Sequence, residues 1–309
     1  MLSQDRKDLV ASLLGSATAG SLARTLFHPI DTIKAKLQSS EQFKGFRDVT
    51  KQTLKKEGFF RGFYPGLGAV LIGGVPGICI YITSYDVCKK TLSQIKGSEH
   101  YEFLTYLSSG MFAESLCCLF FVPVDVVKER MQIQSNQYKT PYRGSWDALR
   151  TIIRREGVSG IYKGYFATLT SFGPFSALYF LFYEELKKEL QRYREEKEQV
   201  PKNNSGNLSA STTDNLLCST VASSVASFLT NPLDMAKLRF QVQRSEDAVA
   251  TSLGKPYTGL VDVMRRIYAQ QGILGLWRGV GARVLFHSPS TAITMTLYEE
   301  CKQGWARFL

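Results

Sequence analysis

The chain has 309 residues, with 38 Lys and Arg against 27 Asp and Glu and a formal net charge of +11. That basic balance suits nucleic acid, an anionic membrane surface or acidic solutes, and composition does not choose among them. Six cysteines without CxxC spacing and only three histidines (His28, His100, His287) argue against a zinc-stapled or disulfide-framework scaffold.

The first residues, MLSQDRKDLVASLLG, lack the charged-then-apolar order of a secretory signal, and Asp5 and Asp8 are unlike an acid-poor transit peptide. Any organelle address is expected to be internal. Pro29 opens PIDTIKAKLQ (29–38). FKG (43–45) reads as a turn or cap, and the following 48–57 has helical apolar spacing with a charged face, as in a short helix lying at a membrane surface. EGFFRGFYPG (57–66) leads into an apolar, Gly-rich stretch at 67–85, which YDVCK (85–89) closes.

The same order then returns twice. An apolar stretch at 103–122 precedes PVDVVKERMQ (123–132), YRG (142–144), an amphipathic segment at 145–156, EGVSGIYKG (156–164), apolar 166–183 and YEELK (183–187). Residues 191–215 are charged and then Ser/Asn/Gly-rich, as in a flexible linker. PLDMAKLRFQ (232–241), a small insertion at 244–256, YTG (257–259), amphipathic 260–271, QGILGLWRG (271–279) and YEECK (298–302) complete the third round. Each first box reads Pro-x-Asp-x-x-Lys-x-Lys/Arg-x-Gln, and Pro29, Pro123 and Pro232 stand 94 and 109 residues apart. Repetition on this scale marks an architecture assembled from copies. The expected fold is all-α, with six transmembrane helices in three repeats. Repeat 1 spans 1–98, repeat 2 spans 99–195, a flexible linker covers 196–213, and repeat 3 spans 214–309. No window of 18 purely apolar residues occurs and mean hydropathy is slightly negative, so hydropathy alone leaves a soluble helical protein open.

Charges at membrane depth need partners or water. A proline removes a backbone hydrogen bond and bends its helix, so three bends about one axis can bring three boxes together. Asp31, Asp125 and Asp234 would then each meet a lysine of the next repeat, drawn from Lys34, Lys128 and Lys237, in a closed ring. Gln38, Gln132 and Gln241 fall one turn further on and can hydrogen-bond beneath it. At the opposite end Asp86, Glu184 and Glu299 each precede a lysine (Lys89, Lys187, Lys302) by three positions. These are either weak pairs along one helix or a second ring braced by Tyr85, Tyr183 and Tyr298. Two rings that are not closed together give alternating access. A wet ion pair contributes only about 0–1 kcal/mol, so solute binding can offset the opening of one ring.

The tripled box with its downstream aromatic-Lys/Arg-Gly element resembles the mitochondrial carrier family over nearly the whole chain. Pro65 and Gln271 stand where the family has a basic residue and an acid. The resemblance implies pseudo-threefold repeats with matrix-side surface helices in a multi-pass monomer of the inner mitochondrial membrane. It implies transport of a small-molecule solute, with no enzymatic activity, cofactor or nucleic-acid partner. It places solute contacts midway between the rings: Gly73, Gly74, Ser171, Phe172, Phe286 and His287 on the second helices, Arg24, Cys118 and Ser227 on the first, with Gly77 and Glu114 beside them. Cardiolipin phosphates are expected at Lys163, Gly164, Arg278 and Gly279, beside helix N-termini. Arg24 favours a small anionic or zwitterionic metabolite, such as S-adenosylmethionine or a nucleotide-like or carboxylate solute, unless Glu114 pairs with it. Glu114 and the segment at 74–86 resemble S-adenosylmethionine carriers, while ARVLFHSPSTAI (282–293) resembles mitoferrins, the iron carriers. A metal-ion carrier using His287 and Cys118, and a carrier-fold adaptor that does not transport, are the alternatives.

Overall fold

The computed structural model describes residues 4–40, 43–93, 102–134, 142–198, 212–243 and 256–308, and all regular structure among them is helical. Repeat 1 supplies α1 (Gln4–Ser39), α2 (Phe46–Glu57), the short α3 (Phe59–Phe63) and α4 (Leu67–Ser93). Repeat 2 supplies α5 (Glu102–Ile133), α6 (Ser145–Ile161) and α7 (Tyr165–Glu198). Repeat 3 supplies α8 (Thr212–Leu229), α9 (Asn231–Val242), α10 (Leu260–Leu276) and α11 (Val280–Phe308). Residues 196–198 of the expected linker therefore continue α7, and 212–213 open α8. The rest of that linker, the expected boundary near 98 and nearly all of the 244–256 insertion lie outside the described residues.

The long helices close into a ring. α4 packs along α5, α7 along α8 and α11 along α1, while α1 meets α4, α5 meets α7 and α8 meets α11. At the box end α1, α5 and α9 also touch one another, so the barrel narrows there. The first two boxes ride on helices that run through Pro29 and Pro123. The third differs, because Thr230 separates α8 from α9 and their axes diverge by 64°. Pro232 sits in the first turn of α9, where its missing N–H costs nothing. The buried Asn231 amide donates to Leu276 O at 2.9 Å and ties the break to the next surface helix. Among the described residues only Ser108–Ile133 is long and apolar enough to cross a membrane alone, with α8 and α9 qualifying as a bent pair.

The surface helices start alike. Asp48 Oδ2 accepts the Lys44 N–H at 2.9 Å, Asp147 Oδ2 the Arg143 N–H at 2.9 Å, and Asp262 Oδ2 the Thr258 N–H at 3.0 Å. An acid there also suits the positive end of the helix dipole. The Gln52 amide and Lys44 N–H hold the Asp48 carboxyl below its ordinary value. For Asp262, slight burial works the other way, and the Thr258 N–H and Arg266 outweigh it. Each surface helix then buries one face on its own box: Val49 on Ile33 and Leu37, Ile152 on Val127 and Met131, Ile267 on Met235 and Ala236. Fully burying one such side chain contributes about 1.5–3 kcal/mol, so the tightest packing lies where the boxes converge. Cys117, Cys118 and Cys218 are buried free thiols, acting as small apolar fillers.

Candidate functional site

Where α1, α5 and α9 meet, Lys128 Nζ lies 2.6 Å from Asp31 Oδ2, Lys34 Nζ 2.7 Å from Asp234 Oδ2, and Lys237 Nζ 3.1 Å from Asp125 Oδ2. Each acid faces the lysine of the following repeat, and the ring is closed. Desolvating a charge costs several kcal/mol per ion, roughly, so such a ring holds only while all its members are paired. Gln132 Nε2 donates to Asp31 Oδ2 at 3.1 Å and to Thr32 Oγ1 at 3.2 Å. Gln38 Nε2 donates to Asp234 Oδ2 at 3.3 Å and to Asn231 Oδ1 at 3.4 Å. Gln241 is equally buried, yet neither atom of its amide has a hydrogen-bond partner among the described residues. Asp125–Lys237, the longest of the three pairs, is thus the one without a glutamine.

Two charges outside the repeated pattern join the ring. Arg283 donates Nη1 to Ser227 O at 3.1 Å, places Nε 3.5 Å from Asp234 Oδ2, and sits over the Phe175 ring at 5.7 Å. Asp234 consequently has two cations. Glu129 is buried on α5, and its Oε2 has no hydrogen-bond partner among the described residues.

The second basic residue of each box works outside the ring. Lys36 Nζ meets Glu57 Oε2 at 2.8 Å and also donates to Thr53 Oγ1 and Gly62 O. Arg130 grips the Glu156 carboxylate with two nitrogens at 2.5 and 2.9 Å, and donates to Gln241 O at 3.1 Å and Gln243 O at 3.0 Å. Arg239 Nε donates to Gln38 O at 2.9 Å. Sequence reasoning missed these three residues. Their signal was the pairing of a box cation with the acid that opens the aromatic box, broken at Gln271.

The aromatic-box glycines pack against the next repeat. Gly66, Gly164 and Gly279 have φ of +81°, +84° and +80°. A Cβ on Gly164 would stand 2.6 Å from Gln241 Cγ, and one on Gly279 2.9 Å from Gln38 Cγ. Gly164→Val is therefore expected to lower Tm by several degrees and to remove transport. A non-glycine residue in this backbone region costs about 1–3 kcal/mol before any clash is counted. Gly281→Ala, whose Cβ meets nothing within 4 Å, is the control that should leave Tm unchanged. Lys163 and Arg278, expected on lipid phosphate, turn inward: Lys163 Nζ donates to Gln243 O at 3.0 Å, and Arg278 Nη2 donates to Phe43 O. Burial pushes the Lys163 ammonium down from its ordinary value, opposed by the nearby Glu156.

The expected solute contacts separate into two groups. A Cβ on Gly73 would lie 2.3 Å from Val124 Cγ2, and one on Gly77 2.3 Å from Phe121 Cε2. These glycines sit in the α4–α5 contact, because small residues one turn apart let two helices approach closely. Cys118 is fully buried in an apolar cluster with its Sγ 3.4 Å from Glu114 Oε1, and Ser227 is fully buried with its carbonyl taken by Arg283. Ser171 Oγ returns to Ala167 O at 2.8 Å. Gly74 faces open space, and Phe172 is half-buried. Phe286 stands edge-on to Phe27 at 6.4 Å, and His287 lies between Phe286 at 5.2 Å and Phe175 at 5.6 Å. The α7 aromatic that meets His287 is thus Phe175, one turn from Phe172. The Arg24 guanidinium lies 5.7 Å from the Phe121 ring and forms no ion pair among the described residues. Glu114 is on Cys118 instead. Within the same limits, no three His, Cys, Asp or Glu come together as for a metal ion.

At the other end Tyr85 stacks on Tyr81 at 6.4 Å and Tyr183 on Tyr179 at 6.0 Å. Lys187 Nζ lies over the Tyr183 ring at 5.8 Å, and Glu184 is exposed. The side chains of Asp86, Lys89, Tyr298, Glu299 and Lys302 lie outside the described residues, and most of the expected second ring with them.

The sequence profile described as "Mitochondrial carrier protein" matches residues 5–96, 99–194 and 209–308. The chain belongs to the mitochondrial carrier family. It is similar to "Mitochondrial substrate carrier family protein E" of Dictyostelium discoideum, 32% identical over 304 residues and 94% of each chain. It is also similar to "Mitoferrin" of the same organism, 32% identical over 94% of this chain and 92% of that one, and to human "Mitoferrin-1", 26% identical over 93% and 81%. Members of this family are transporters of small-molecule solutes rather than enzymes, and this carrier is a multi-pass protein of the inner mitochondrial membrane.

Proposed function

We propose that this carrier moves a small anionic or zwitterionic metabolite by alternating access, with the Asp-Lys ring as its matrix gate. The observation that carries the reading is Arg24. A permanently charged guanidinium on a membrane-spanning helix, resting on a ring face and in no ion pair among the described residues, calls for an anionic partner. Gly74 leaves open space on α4, and Phe175, Phe286 and His287 offer aromatic surface. Carboxylate, nucleotide-like and S-adenosylmethionine solutes all fit that chemistry.

The closed ring supports the gate. Each 1.4 kcal/mol by which the solute prefers the half-open state shifts the balance about tenfold, so a ring of a few pairs can be opened without ATP. The second gate is assigned to Tyr85, Asp86, Lys89, Tyr183, Glu184, Lys187, Tyr298, Glu299 and Lys302, and the carrier to a monomer of three repeats.

A second reading, a metal-ion carrier, is favoured by the mitoferrin relatives. Thermal-shift screening separates the two, because a true solute raises Tm by mass action, about 2.7 kcal/mol of stabilisation at 100 times its Kd. Nucleotides, carboxylates, amino acids and S-adenosylmethionine form one arm, and iron(II) the other. In proteoliposomes loaded with the solute so found, Arg24→Ala is expected to abolish uptake. Stabilisation by iron(II) alone, or full uptake by the Arg24 variant, would replace the anion reading with the metal one.

A further inference from the structure

The fourth acid at the ring has no counterpart in the other repeats. Directly after its ring lysine, each box carries Ala35, Glu129 or Leu238 in turn. Ala35 and Leu238 are buried with Val242 in an apolar cluster that Ile133 flanks. Glu129 is buried too, but as a carboxyl. Its Oε2 has no hydrogen-bond partner, and no cation forms an ion pair with it, among the described residues. The charges that act on it are Lys237 of α9, then Asp125 and Lys128 of α5, then Lys34 of α1.

A buried carboxyl without a partner destabilises whatever state buries it. Asp125 lies one turn before Glu129 on the same helix, and like charges at that spacing repel. Asp125–Lys237 is also the longest of the three ring pairs, and the amide of Gln241, unlike those of Gln38 and Gln132, bonds no acid among the described residues. All three weaknesses fall on the seam between the second and third repeats. We propose that Glu129 is the positioning residue that unlocks the ring: it competes with Asp125 for the Lys237 ammonium and gains water when the seam parts. Opening then exchanges a lone buried carboxyl for a hydrated one, which offsets part of the ion pair that is lost. The inference rests on the ring being the matrix gate. A residue kept for opening is expected to cost stability in the closed state.

Leu238 fills the equivalent place in the third repeat, so Glu129→Leu is expected to raise Tm by several degrees. Glu129→Gln, which keeps the volume and loses the charge, should raise it too. The seam itself is read by pulsed electron paramagnetic resonance on the full chain. Spin labels go on Arg154→Cys of α6 and Gln270→Cys of α10, both exposed positions, with the six native cysteines replaced by alanine. The labelled parent should show a short, closed distance and a longer, open population. Glu129→Leu and Glu129→Gln should each lose at least half of the open population, and Glu129→Asp should keep more than half of it. A lower Tm in both neutral variants, or an open population that neither reduces, overturns the proposal. Asp31→Ala in the same labelled chain tests the gate separately. Distances unchanged there would mean that the ring is no gate, whereas a larger open population there, beside unmoved Glu129 variants, removes only the role of Glu129.

Discussion

Arg130→Met is expected to yield little or no monodisperse carrier on size-exclusion chromatography, with any survivor melting well below wild type. Arg130 is fully buried, and its guanidinium serves the Glu156 carboxylate and two carbonyls of the third repeat at once. Removing one partner of a buried pair costs about 3–5 kcal/mol, and each buried carbonyl left unpaired about 1–3 kcal/mol more. Against a total stability of about 5–15 kcal/mol, losses of that size unfold a protein. The double variant Arg130→Met/Glu156→Met removes both charges together and should regain part of the lost Tm. Arg239→Met makes a useful contrast. It removes a bond to Gln38 O, but position 271 holds Gln and no carboxylate is stranded there, so a smaller fall is expected. Wild-type Tm in Arg130→Met would contradict this account of the box periphery.

Asp31→Ala is expected to remove nearly all uptake in proteoliposomes and to lower Tm. It strips the Lys128 ammonium of a partner 2.6 Å away and leaves Gln132 with one bond fewer. The charge-swapped variant D31K/K128D should recover at least half of both readouts, because the pair is restored with its polarity reversed. Gln132 can follow the swap: its Oε1 has no partner among the described residues, so rotating the amide offers an acceptor to the new lysine. If the swap behaves like the single variant, the contact between those two side chains is not what the gate depends on.

The sequence made the barrel legible because its evidence is repeated. Three copies of one box, each with an acid and a lysine in register, leave few ways to pair six buried charges. Features that occur once were harder to see. Arg283 stands four residues past Gly279, where the other repeats have Val70 and Thr168, so repetition points away from it. The α8–α9 break is similar: Pro29 and Pro123 occupy the same box position as Pro232, and only the fold shows which helix parts there. Gly73 and Gly77 lie against Val124 and Phe121 of α5. Counting along a helix fixes spacing and does not say which neighbour packs against it. Lys163 and Arg278 found carbonyl partners in the following repeat, a contact that no local motif encodes.

The ring also ties the two ends of the chain together. Gln38 bonds Asp234 across 196 residues, and Arg239 reaches back 201 residues to Gln38. Lys34 thus finds the acid that neutralises it only once the third repeat has packed against the first. Contacts this distant along the chain form late. A chain cut before residue 234 lacks the carboxylate that Lys34 needs, so the narrow end stays unsealed.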